Sequence, residues 1–181
     1  PPEELPTTLA GWLEALVVQL GENFRLRWHC DPDFSEVPVI ANSVEDVTGK
    51  KCGEILRWVC MASGTWPRAR SEDGALTAEP LWNQGNKLTL DNLEQYPAMK
   101  ANTSIAALLF QLADGAETEL VIPGNQTASE QTVTVKNPFI HTPEEAFAAA
   151  RVILSCYGGN IIETTGRGDP AGEIGDVDTI W

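Results

Sequence analysis

The chain has 181 residues, 43% hydrophobic and 21% charged, with a formal net charge of −14. At that length roughly 70% of the unfolded chain's surface can be buried, so a core forms without disulfides or metals. With 12 basic residues against 26 acidic ones, general attraction to nucleic acid is excluded, because phosphate binding needs clustered Lys and Arg. No apolar run approaches the roughly 18 residues that a membrane span requires, and Pro1-Pro2-Glu3-Glu4 has neither the basic nor the apolar region of a signal peptide.

In chain order, Thr8 caps a predicted helix from Leu9 to Leu20, with Leu9, Leu13, Leu16, Val17 and Leu20 on one face and Gly21 as its stop. Phe24 to Trp28 alternates as a strand does, Asp31-Pro32-Asp33 breaks it, and Val37 to Ile40 forms a short strand. A second helix is predicted from Thr48 to about Ala62, ended by Gly64. Thr65 to Arg70 and Ala75 to Leu81 then make a hairpin about Asp73-Gly74.

The polar stretch Asn83 to Lys87 leads to Leu88-Thr89-Leu90 and a short turn at Asp91 to Leu93. Ile105 to Leu112 reads as a strand or short helix, and Asp114-Gly115 before Glu119 to Ile122 favours a second hairpin. Gln131 to Val135 is a β-branched strand. Thr142-Pro143-Glu144-Glu145 carries an N-cap, a proline at the first helical position and a capping-box glutamate, and starts a helix to Tyr157 that presents Ala146, Phe147, Ala150, Ile153 and Leu154. Ile161 to Thr165 begins another strand. Arg167-Gly168-Asp169-Pro170 and Gly175-Asp176 are turns, and Val177 to Trp181 alternates as a final strand. About three helices on a mixed, mainly antiparallel sheet, without regular β-α-β alternation, give an α+β fold.

The residues assemble no evident active site. No G-x-S-x-G elbow is present. His29 and Cys30 are adjacent on a strand and so point to opposite faces, and His141 precedes a helix. The four cysteines (Cys30, Cys52, Cys60 and Cys156) lack C-x-x-C spacing and read as buried free thiols. Asp31, Asp33 and Glu36 lack the Gly and distal Glu of a calcium loop and read as a polar turn. Thr48-Gly49-Lys50-Lys51 lacks the upstream glycine of a phosphate loop. No catalytic, cofactor-binding or metal residue is assigned. Asn102-Thr103-Ser104 and Asn125-Gln126-Thr127 fit the glycosylation pattern, and Arg167-Gly168-Asp169 matches an integrin-binding tripeptide that its context explains as a turn. Of six tryptophans, Trp66 and Trp82 flank the first hairpin and are the best candidates for an interaction surface.

The order of the elements carries more information than any one of them. Gly53 to Gly64 on a helix, the hairpin with Asp73-Gly74-Ala75-Leu76, then Asn137-Pro138-Phe139-Ile140 before the last helix, then Arg167-Gly168-Asp169-Pro170 with Gly175-Asp176, follow one another. This series resembles the baseplate and tail-tip hub proteins of tailed phages and prophages, the XkdQ/YqbQ-like group, from about Leu9 to Trp181. The resemblance implies a non-enzymatic, cofactor-free structural domain, a middle segment linking the tail tube to the baseplate or tip. It implies other tail proteins as partners, a homotrimer in the full-length protein, and a place in the virion tail after assembly in the bacterial cytoplasm.

Residues 1–64 would form a helix–strand–helix part, 65–160 the hairpins and last helix, and 161–181 the start of a return to a tube-like β-barrel, within one unit of a longer protein. Arg167, Gly168, Asp169, Pro170, Gly175 and Asp176 would be its turn motif. Two other readings stay open from the residues. One is a carbohydrate- or receptor-binding module using exposed tryptophans. The other is a hydrolase drawing a carboxylate pair from the 26 acids.

Overall fold

The computed structural model describes residues 4–20, 27–69, 75–80, 83–88, 98–100, 105–112, 114–121, 131–157, 161–163 and 176–180. The first helix, α1 (Leu9–Leu20), buries Leu9, Trp12, Leu13 and Leu16. Thr8 caps it by accepting the Gly11 amide at 3.2 Å. The segment after the first strand supplies what the other early amides need. Leu9 and Ala10 donate to the carbonyls of Val37 and Ser35, and the Trp12 indole donates to Val39 at 2.8 Å. The predicted strand from Val37 to Ile40 reduces to a single bridge, Thr8 with Pro38, because these backbone groups are spent on the helix start.

The helix expected from Thr48 to Ala62 starts later, and a separate short helix ends where it was expected to begin. A short α2 (Val44–Val47) is capped by Ser43, and α3 (Cys52–Ser63) begins four residues later than the sequence suggests. Thr48 closes α2 instead of opening α3: its hydroxyl donates to the Val44 carbonyl at 2.8 Å. Gly49 then takes φ +76°, a left-handed conformation that glycine adopts without the steric cost of a Cβ and that no helix can continue through. The far end of α3 is as predicted. Gly64 sits at φ +75°, its amide reaches Met61 and that of Thr65 reaches Cys60, so two terminal carbonyls are satisfied together.

Beyond Gly64 the chain enters a three-stranded sheet. Its strands are β1 (Trp28–Cys30), β2 (Trp66–Ala69) and β3 (Leu76–Glu79), in the order β1-β3-β2. The predicted first hairpin is the antiparallel β2–β3 pair, Trp66 opposite Glu79 and Ala69 opposite Leu76; β1 runs parallel to β3. The predicted Phe24–Trp28 strand therefore overlaps β1 only at Trp28, and residues 21–26 lie outside the described residues. Trp28, Cys30, Leu76 and Ala78 join the core with α1 and α3. By alternation His29, Arg68 and Thr77 share the other face.

Four further pairings complete the strands. The supposed polar stretch is a strand, β4 (Asn83–Leu88), and a short β5 (Ala98–Lys100) was not foreseen. The second predicted hairpin is β6 (Ile105–Gln111) with β7 (Glu117–Val121), closed at Gly115 with φ +84°. Asp114 stabilises this turn by accepting the Ala116 amide at 2.8 Å. β8 (Gln131–Lys136) lies parallel on the other side of β6, with an extra residue, Ala106, between the paired Ile105 and Ala107. That bulge puts Ile105 on the same face as Leu108 and Phe110, and all three are buried in one core.

The capping box foreseen for α4 (Pro143–Tyr157) forms in full. Thr142 Oγ1 accepts the Glu145 amide at 3.2 Å, while Glu145 Oε2 accepts the amides of Thr142 and His141. Ala146, Ala149, Ala150 and Val152 are buried, and their small side chains let α4 pack closely on α3, β6 and β7. Phe147 departs from the expected apolar face and is 59% exposed, because the buried stripe runs through Ala146, Ala149 and Ala150.

The chain ends in β9 (Ile161–Glu163), antiparallel to β5, and β10 (Asp176–Ile180), parallel to β4. The fold is α+β. Of six described pairings three are antiparallel, including both hairpins, and the three parallel ones join segments distant in sequence. Among the described residues no sheet closes into a barrel.

Candidate functional site

The described residues converge on a junction built by Asn137-Pro138-Phe139-Ile140. Asn137 is a buried polar side chain with both ends used. Its Nδ2 donates to the Trp58 carbonyl of α3 at 2.9 Å, and its Oδ1 accepts the Phe139 amide at 3.0 Å. The second bond turns the chain out of β8, and the first fixes that turn on α3. Phe139 and Ile140 then enter the core almost fully buried. The Phe139 ring meets Trp12 edge to face, with centroids 5.1 Å apart and planes at 88°. Pro138 lends its carbonyl to the Asn42 amide, and His141 Nε2 lies 2.7 Å from the Ile40 carbonyl. One short segment thereby joins β8, α1, α3, α4 and the loop before α2. These contacts make the segment a joint between elements distant in sequence.

A groove of about 370 Å³ opens between α1, α2 and the start of α3. Trp12, Leu16, Val47 and Ile55 give it apolar walls, and Lys50 is the charged side chain at its edge. That ammonium is held 5.8 Å above the Trp58 ring. The groove exists because the chain breaks at Thr48–Lys51, which the periodic reading ran through as helix; Gly49 was the signal in the sequence that could have revealed it. Val18, Ile40 and Val44 are further exposed apolar side chains, at 73%, 52% and 50%.

The residues singled out for chemistry stay apart. His29 is exposed and Cys30 half-buried on opposite faces of β1, so the dipeptide makes no nucleophile–base pair. Burial pushes the Cys30 thiol up to about 11, helped by Asp31 and then Glu79. The Cys60 thiol rises to about 12 through burial, with a Thr65 hydrogen bond acting in the opposite direction and Cys30 adding to the rise. Both are neutral thiols at neutral pH and poor nucleophiles. Cys52 is a free thiol on α3, half-buried like Cys30; the side chain of Cys156 lies outside the described residues.

Asp31 accepts the Asp33 amide at 3.0 Å, the polar turn expected there. Among the described residues no group of three or more His, Cys, Asp and Glu could hold a metal ion. No described helix is long and apolar enough to cross a membrane.

Of the proposed interaction surface, Trp66 is half-buried on β2, and Trp82 lies outside the described residues. Of the turn motif, Arg167, Gly168, Asp169, Pro170 and Gly175 also lie outside them, as do both glycosylation patterns; Asp176 opens β10 opposite Asn83.

No protein-family model and no curated protein sequence matches the chain. Solved structures do resemble it. The 43 kDa tail protein of prophage MuSo2 from Shewanella oneidensis superposes with a TM-score of 0.55 at 15% identity, over 97% of this chain and 54% of its own. The tail protein from Neisseria meningitidis MC58 does so with a TM-score of 0.56 at 14% identity, over 97% of this chain and 59% of its own. The chain thus spans a little over half the length of each tail protein, and it shares their fold.

Proposed function

We propose that this chain is the middle part of a phage or prophage tail hub, a structural piece that joins the tail tube to the baseplate or tip and performs no catalytic step. The observation that carries the reading is the likeness of fold to two tail proteins along 97% of the chain. The motif order supports the narrower assignment to a hub, as does the tied junction at Asn137 to His141, which suits a part that transmits load. The neutral thiols of Cys30 and Cys60 fit a structural role.

In this reading β10 leads back toward a tube-like barrel, and residues 1–64, 65–160 and 161–181 are successive parts of one unit. The partners are tail-tube and baseplate or tip proteins. The full-length protein is a homotrimer, assembled in the bacterial cytoplasm and carried in the virion tail. Light scattering on the full-length protein should give three times the monomer mass; a strict monomer would overturn the trimer. Mass spectrometry of purified tail particles should find the chain, and its consistent absence from intact tails would overturn the tail role itself.

A further inference from the structure

We draw no further inference here: the strongest candidate, the apolar groove between α1, α2 and the start of α3, has Glu45, Asp46 and Glu54 on the same helices to offset Lys50 and Lys51, and nothing in the structure shows what covers it.

Discussion

Asn137 carries more of the architecture than its size suggests. The residue is 4% exposed, and its side-chain amide serves a carbonyl of one helix and the amide of its own turn. Asn137→Ala would leave the Trp58 carbonyl and the Phe139 amide without these partners. A buried polar group left unmade costs about 1–3 kcal/mol, so urea unfolding should show a loss in the upper part of that range. A change under about 0.5 kcal/mol would mean that water replaces both bonds.

Cys60 gives a second residue-scale test. Its thiol titrates at about 12 in the fold against 9.0 ordinarily. Between those values the unfolded chain loses the proton while the folded one keeps it. The stabilisation is therefore fully present below pH 9 and fades as pH rises toward 12, at up to about 1.4 kcal/mol per pH unit. Cys60→Ala should be less stable at pH 7 because it opens a cavity. It should also lose stability less steeply between pH 9 and 11, and parallel curves for the two proteins would refute the assignment.

At the scale of the element, the helices show how local chemistry and context divide the work. The box at the start of α4 is reciprocal, so its two side chains should be coupled. Thr142→Ala and Glu145→Ala should each cost about 1 kcal/mol in thermal or urea unfolding. The double variant should cost less than the sum, and strict additivity would show that the two bonds act separately.

This element was legible because its signals lie within four residues and need no partner from elsewhere. The same holds for the Thr8 cap, the Gly64 stop and both hairpins. The break at Thr48–Lys51 was hidden because Thr48 suits a helix start and a helix end equally. Which end it serves depends on α2, a four-residue helix too short to announce itself by periodicity. β4 was hidden for another reason. Asn83-Gln84-Gly85-Asn86 has weak strand propensity, and its pairing partner, β10, lies some ninety positions downstream.

For the whole molecule, the net charge of −14 should be felt as self-repulsion. Raising ionic strength from about 0.01 to 0.15 M shortens the screening length from about 30 to 8 Å. The melting temperature should rise over that range, and a flat response in a calorimetric salt series would show that the acids are already spaced too widely to matter. The functional reading also belongs to this scale. At 14–15% identity the shared chemistry with the two tail proteins is slight, yet the path of the chain agrees over nearly its full length. Packing tolerates wide substitution provided volume and pattern are kept, which is why one fold can be shared at so low an identity.

The amino-acid sequence by itself determined the local features: the caps of α1 and α4, the glycine stop of α3, the β6–β7 turn at Asp114-Gly115 and the opposite faces taken by His29 and Cys30. Each depends on residues a few positions apart, and such effects are readable without knowing what else is near. Tertiary structure alone decided that Asn137 reaches Trp58 across 79 positions, that Trp12 meets Phe139, that Phe147 faces outward, and that three of the six described pairings are parallel. Parallel pairing and buried side-chain bonds join distant segments, and their energy appears only when the chain has already brought those segments together.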